Sequence, residues 1–281
     1  MLSPVSGAAD EGGRVLCPPP GPPPASFLRL LATLSGGSPQ DSPAFEPLAL
    51  RDGEVHVWQA RLEPSEAGLA VRLSPEERER AARLPSRKLR GRFVHSRALL
   101  RTVLATYLGV APEALVFATG AEGKPYLRFP LQFPGASLPF NLSHARLCWV
   151  LAVARPGPVG IDVEDTSRRV DVEGVGSRIF SAQEMQTLQR LPEAARKEAF
   201  FRCWTAREAI AKARGEGVFT LGARFDVEVD PARPPLVHGR EASGKSGAGW
   251  VLTSVPVPDG FACLLATAGA PAAFRSFLVS G

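Results

Sequence analysis

The feature that most constrains this chain is one proline-free run in its second half. Phe200-Phe201-Arg202-Cys203-Trp204-Thr205-Ala206-Arg207-Glu208-Ala209-Ile210-Ala211-Lys212-Ala213-Arg214 is rich in alanine and arginine and meets Gly215 just past its end. Alanine and arginine are strong helix formers and glycine is the commonest helix stop, so the run predicts a helix. Glu208 and Lys212 are one turn apart on that helix, at the rim of the apolar face set by Phe200, Phe201 and Trp204. An exposed i,i+4 ion pair is common and stabilises a helix by only ~0.2–0.5 kcal/mol. The pair becomes informative only if the fold brings other charged groups to it.

The rest of the composition narrows the class. The chain has 281 residues, 44% of them hydrophobic, enough for one or two globular domains. No apolar run reaches the ~18–20 residues of a membrane span, and no basic flank with an apolar core opens the N-terminus. A protein that neither crosses nor enters a membrane is therefore expected, in the cytoplasm. Cys17, Cys148, Cys203 and Cys263 are scattered without a C-x-x-C pair, which fits buried thiols in a reducing compartment and neither a disulfide framework nor a zinc site. The net charge is +5, but from Arg72 to Arg101 ten Lys/Arg face three acids. The basic surface is thus local. Without stacking aromatics or a zinc-finger or helix-turn-helix pattern, it does not point to nucleic acid.

Residues 1–47 carry ten of the 27 prolines, including Pro18-Pro19-Pro20-Gly21-Pro22-Pro23-Pro24, and read as an extended or disordered arm. Within it, Ser26-Phe27-Leu28-Arg29-Leu30-Leu31 fits a short docking helix. Glu54 to Leu62 alternates polar and apolar residues, as a half-buried strand does. Ser74-Pro75-Glu76-Glu77 supplies a cap, a first-turn proline and first-turn acids. Pro85 should end that helix and Ser86 start another, with Leu89, Phe93, Leu100, Leu104 and Tyr107 on its core face and Arg90, Arg97 and Arg101 on another stripe. Strands are expected at 147–153, 159–164, 225–229, 250–252 and 261–266. Val170 to Phe180 reads as a connection, and Ser181-Ala182-Gln183-Glu184 as a capping box.

Helices and strands mix without strict βαβ alternation, so the expected class is α+β. Two similar subdomains, 48–155 and 156–268, are expected to be related by a pseudo-twofold with the site in the cleft between them, followed by a C-terminal tail at 269–281.

Period two puts Asp162 and Glu164 on one face of their strand. Two such carboxylates suit Mg²⁺, which takes few protein oxygens and completes its shell with water and phosphate. If Glu208 joins them, a metal–diphosphate partner gains weight over a solvated acidic patch. His144 fits a turn histidine, a satisfied core histidine or a phosphate contact. Adjacent residues on an extended chain face opposite ways, which argues against a Ser143–His144 catalytic pair. Lys124, between Gly123 and Pro125, reads as an exposed turn residue, and Arg80 and Arg97 as solvated helix residues whose charge could also meet a polyanion.

The order of these motifs adds more than any one of them. Gly123-Lys124-Pro125, Phe140-Asn141-Leu142-Ser143-His144, Gly160-Ile161-Asp162-Val163-Glu164 and Trp204-Thr205-Ala206-Arg207-Glu208-Ala209-Ile210-Ala211-Lys212 strongly resemble, in sequence order, the 4′-phosphopantetheinyl transferases of the Sfp type. The resemblance spans about residues 50–268. It implies a monomeric, pseudo-dimeric enzyme moving the phosphopantetheine arm of coenzyme A to a serine of an apo acyl or peptidyl carrier protein, in polyketide, nonribosomal peptide or fatty-acid synthesis. It also implies that Asp162, Glu164 and Glu208 hold Mg²⁺. Glu208, or a metal-bound water beside it, would take the serine proton, and Lys212 would face the diphosphate. His144, Arg97 and Arg80 would meet the 3′-phosphate, and Lys124 and Ser143 would bracket the adenine nucleotide. Two positions depart from the family pattern: Arg207 and Glu77 stand where lysines are usual or frequent. A non-catalytic CoA-binding module of the same fold, or an interaction protein using the basic helix at 72–101, is the alternative to an enzyme.

Overall fold

The computed structural model describes residues 16–28, 47–64, 68–120, 123–128, 137–155, 157–221, 224–238 and 249–279. Most of the expected arm, including Arg29 to Leu31 and the Gly/Ser/Pro run at 36–43, lies outside them. The strands are β1 (Glu54–Arg61), β2 (Phe117–Thr119), β3 (Pro125–Leu127), β4 (Phe140–Ala145), β5 (Cys148–Arg155), β6 (Val159–Asp165), β7 (Asp226–Val227), β8 (Val237–His238), β9 (Trp250–Ser254), β10 (Phe261–Ala268) and β11 (Ala273–Val279). The helices are α1 (Pro75–Ala82), α2 (Arg87–Leu108), α3 (Val172–Ile179), α4 (Ala182–Arg190), α5 (Glu193–Arg214) and α6 (Val218–Leu221). The class is α+β, as expected. None of the described helices is long and apolar enough to cross a membrane.

The two main sheets pack between the two long helices. One has the order β11-β1-β5-β4 and the other β6-β10-β9. Alternate residues of β1 and β5 divide between two cores. Trp58, Trp149, Leu151 and Val153 pack with Leu99, Leu100, Val103 and Leu104 of α2. Val55, Val57, Val150 and Ala152 meet Val159, Ile161, Val163 and Leu265 of the second sheet. The other face of that sheet, through Leu252, Leu264 and Ala266, packs on Phe200, Ala206, Ile210 and Ala213 of α5.

Several expectations change for this reason. β1 is buried on both faces, not one, because sheet covers one side and helix the other. The stretch 269–281, expected as a tail, contains β11, which runs parallel to β1 from Glu54↔Ala273 to Ala60↔Val279. The connection at 170–180 contains α3, capped by Asp171. In α2, Leu89 is 47% exposed and not core, whereas Arg101, on the stripe apart from the core face, is only 2% exposed. Part of the proline-rich arm is tied down. Gly21 donates to Ser276 O and accepts from Leu278 N, covering the outer edge of β11, and Phe27 packs at 5.0 Å on Trp58.

The two halves repeat one plan. α2 and α5 each have 22 residues and end on a left-handed glycine, Gly109 (φ 64°) and Gly215 (φ 72°). Each is preceded by a helix with a capping box, Ser74/Glu77 on α1 and Ser181/Glu184 on α4. In both, the capping-box glutamate pairs with an arginine of the long helix, Arg101 with Glu77 and Arg207 with Glu184. Each guanidinium also stacks on a phenylalanine, Arg101 on Phe117 at 5.1 Å and Arg207 on Phe225 at 5.2 Å. The departures at Glu77 and Arg207 therefore belong to a repeated internal clasp.

His56 gives the fold a specific acid sensitivity. Its side chain is buried against Tyr107, whose hydroxyl lies 2.7 Å from Nδ1. Burial, then the charge of Arg275, pushes its pKa down to about 3, although Glu54 lies 3.5 Å from Nε2. Burial dominates because the imidazole is wholly enclosed and Glu54 is beyond hydrogen-bond range. Between about pH 6.5 and about 3 the unfolded state binds the extra proton, so stability is full above that window and falls as pH drops through it. The slope from this group approaches ~1.4 kcal/mol per pH unit. Urea midpoints measured at pH 7 and pH 5 should differ by less in His56→Gln than in the parent chain.

Candidate active site

The site forms where β6 meets α5, and Gly160 permits that meeting. A Cβ at Gly160 would lie 2.0 Å from Ala209 O and 2.4 Å from Ala213 N. Both are backbone atoms that cannot rotate away, so strand and helix pack main chain to main chain. Gly160→Ala should displace α5 and lower stability by ~1–3 kcal/mol, as overpacking does, read as a shift in denaturant midpoint.

Close packing brings four expected residues together. Asp162 and Glu164 project from the α5 side of β6, opposite Val159, Ile161 and Val163, which fill the inter-sheet core. Glu208 and Lys212 face them from α5. Lys212 Nζ donates to Asp162 Oδ1 at 2.5 Å and to Ser143 Oγ at 3.0 Å. The ion pair thus runs to Asp162 and not to Glu208, its i,i+4 neighbour. Glu208 has no hydrogen-bond or ion-pair partner among the described residues. Burial, then the charges of Asp162 and Glu164, raises the Glu208 pKa, partly opposed by Lys212. Glu164 is raised by burial and by Asp162. Asp162 is raised by burial, against the pull of Lys212.

Trp204 was expected only to pack its helix, yet its Nε1 donates to Glu164 Oε1 at 2.8 Å. Phe200 and Phe201 are fully buried and keep the packing role. The signal for Trp204 was its spacing, since 204, 208 and 212 fall on one helix face. Arg168 pairs with the other oxygen of Glu164 at 3.2 Å.

β4 joins the two halves through side chains. Asn141 Oδ1 accepts from Ile161 N at 2.8 Å, and Ser143 Oγ donates to Asp162 Oδ1 at 3.0 Å. Ser143, expected beside a nucleotide, is instead buried within the Asp162–Lys212 network. Lys124, also expected there and expected exposed, is half-buried, and its Nζ donates to Val159 O at 3.0 Å and Lys212 O at 2.6 Å. Both polar groups are committed inside the protein because the fold folds the turn and β4 onto β6 and α5.

On the outer face of β4, His144 and Leu142 open onto a cavity of about 750 Å³. Arg80, Arg92, Arg97 and Arg146 line it, with Glu76 and Glu77, and Leu62, Phe93 and Phe117 supply apolar wall. Burial of the ring, then the charges of Lys212 and Arg92, lowers the His144 pKa, although its side chain keeps solvent exposure at the cavity. Ser143, the next residue of β4, binds Lys212 and Asp162, so this cationic cavity adjoins the lysine–carboxylate cluster. Arg97 reaches the cavity but spends its donors on Glu77, with Nε at 2.7 Å. Arg80 stacks on Phe93 at 5.3 Å. Nothing in the sequence sets Arg92 apart from the other cations between Arg72 and Arg101, yet its Nε is buried without a partner among the described residues. The Arg92 side chain lines the cavity with no hydrogen-bond or ion-pair partner among the described residues, which leaves its guanidinium uncommitted there.

A cation can be tested against the carboxylates. Among the described residues, no three His, Cys, Asp or Glu side chains already stand at metal-holding distance. The donor set nonetheless fits a hard divalent ion. Asp162 Oδ2 is buried without a partner, Glu208 is unpaired, and the carboxylates repel one another. Mg²⁺ needs only a few such oxygens when phosphate and water complete its shell.

Comparison with known proteins identifies the family. Residues 158–264 match the 4′-phosphopantetheinyl transferase superfamily, and residues 58–156 match the 4′-phosphopantetheinyl transferase N-terminal family. The chain is 33% identical over 225 residues to the 4′-phosphopantetheinyl transferase HetI of Nostoc, covering 79% of this chain and 91% of that protein. It is 35% identical to the 4′-phosphopantetheinyl transferase psf-1 of Bacillus pumilus, over 43% of this chain and 48% of the relative. The crystal structure of Thermotoga maritima holo-[acyl-carrier-protein] synthase superimposes on 40% of this chain and 63% of its own, at 20% identity and a TM-score of 0.31. The chain belongs to the 4′-phosphopantetheinyl transferase superfamily.

Proposed function

We propose that this chain transfers the 4′-phosphopantetheine arm of coenzyme A to a serine hydroxyl of an apo acyl or peptidyl carrier protein and releases adenosine 3′,5′-bisphosphate. The observation that carries this reading is the junction of two charge environments: a cavity lined by Arg80, Arg92, Arg97, Arg146 and His144, and beside it the Asp162, Glu164, Glu208 and Lys212 cluster. The first suits the 3′-phosphate and nucleotide, and the second suits a diphosphate and an incoming hydroxyl.

In the transfer, a bond forms between the serine Oγ and the phosphorus bearing pantetheine, and the bridging P–O bond of the diphosphate breaks. Glu208 is the proton acceptor for the serine hydroxyl, because it is unpaired and its basicity is raised by burial and by Asp162. Lys212, held by Asp162 and Ser143, balances charge on the departing 5′-phosphate oxygen. Asp162, Glu164 and Glu208 would hold Mg²⁺, which when bound neutralises diphosphate charge and orients the phosphates. Trp204 and Arg168 fix the Glu164 carboxylate for that task. Arg92 and His144 anchor the 3′-phosphate, with Arg80 and Arg97 adding field. The internal repeat supports a monomer, and four buried free cysteines suit a reducing cytoplasm.

Incubation with CoA, Mg²⁺ and an apo carrier should add one phosphopantetheine mass to the carrier serine. Calorimetric binding of CoA without mass gain on any of several apo carriers would overturn the reading in favour of a non-catalytic module.

A further inference from the structure

The turn before β3 does something that the cavity does not explain. Gly123 and Pro125 both line the cationic cavity, but Lys124 between them does not. Its side chain runs the other way, into the seam between the halves, and delivers two N–H bonds to main-chain carbonyls. One acceptor, Val159 O, opens β6, and the other, Lys212 O, lies in the last turn of α5. Carbonyls of a final helical turn lack the intrahelical donors that earlier ones have, and they carry the negative end of the helix dipole. Among the described residues, Lys212 O receives in addition only a long 3.3 Å bond from Gly215 N. Burial lowers the Lys124 pKa to about 8, so at neutral pH it remains an ammonium.

The same residue whose carbonyl Lys124 holds carries the site's reactive cation. Lys212 is gripped at its main chain by Lys124 and at Nζ by Asp162 Oδ1 and Ser143 Oγ. The second carbonyl belongs to the residue before Gly160, where β6 touches α5 through bare backbone. A helix end resting on such a contact has no interdigitating side chain at that point to fix its rotation.

We propose that Lys124 is a positioning residue, a clamp between the halves that fixes the C-terminal turn of α5 against β6 and thereby sets Lys212 opposite the substrate diphosphate. Its kinetic consequence rests on the transferase reading, whereas its structural consequence does not. Charge-assisted bonds to two carbonyls correspond to a change of about tenfold to a hundredfold when lost.

The test compares Lys124→Met, similar in length but without donors, with the parent chain. Hydrogen exchange at residues 211–217 should accelerate about tenfold or more, with little change in α2. In the carrier assay kcat should fall about tenfold to a hundredfold while KM for CoA stays within about twofold. Unchanged exchange at 211–217 overturns the clamp. A raised KM at unchanged kcat also overturns it and assigns Lys124 to nucleotide binding. If the parent chain transfers nothing, the transferase reading fails and the exchange measurement alone decides the clamp. Should Lys124→Met not fold, Lys124→Gln, which keeps one donor group, carries the same two measurements.

Discussion

Glu208→Gln should lower kcat for carrier modification by ~10²–10⁴-fold while the melting temperature holds or rises slightly. The two effects have one cause. Among the described residues Glu208 has no partner, and burial, then the charges of nearby Asp162 and Glu164, raises its pKa. The carboxylate is therefore a source of repulsion in the folded state and a proton acceptor in the reaction. An amide of the same shape removes both properties. Asp162→Asn should behave differently, because Asp162 accepts from Lys212 and Ser143. Turnover should fall comparably, and stability should drop by ~1–3 kcal/mol as the Lys212 ammonium loses its counter-charge. Parallel kinetics and thermal melts separate the two. A Glu208→Gln variant with near-normal turnover would remove Glu208 from the chemistry.

Arg207→Ala should cost ~3–5 kcal/mol of stability, the largest single loss expected outside the aromatic core. Both side chains of the Arg207–Glu184 pair are essentially unexposed, at 0% and 1%. Glu184 also accepts from Ser181 N at 2.8 Å and Val227 N at 2.7 Å, and Arg207 donates to Phe225 O at 3.0 Å. Truncation would strand a buried carboxylate whose pKa burial already raises. Arg207→Lys should recover about half the loss, since an ammonium restores charge but cannot serve Glu184 and Phe225 O with one planar fork. Denaturant midpoints provide the check. Equal stability of Arg207→Ala and the parent chain would show that the clasp carries no weight.

Local rules carried much of the architecture because they act through neighbours in the chain. The serine cap at Ser74, the capping box at Ser181, the helix stops at Gly109 and Gly215, and the strand holding Asp162 and Glu164 all formed where sequence placed them. What sequence could not supply was partner choice across the fold. Arg97 reads as a solvated helix residue and Arg101 as part of a stripe apart from the core face, but Glu77 from another helix draws both inward. Lys124 looked like a turn residue because its acceptors lie 35 and 88 positions away. Trp204 looked like core until Glu164 arrived at its indole nitrogen. Arg92 could not be told from the cations around it without the cavity that leaves its Nε unpaired.

The sequence by itself determined the parts: the α+β class, the two long helices and the ordered motifs that resemble one transferase family. It also put Glu208 and Lys212 on one helical face and Asp162 and Glu164 on one strand face, since both periodicities are properties of the local backbone. Tertiary structure decided how they pair. Only when the bare backbone of Gly160 let β6 settle on α5 did Lys212 find Asp162 and leave Glu208 unpaired. That exchange of partners turns an ordinary ion-pair pattern into a free carboxylate beside a held cation, because long-range packing sets which charges are close enough to neutralise one another.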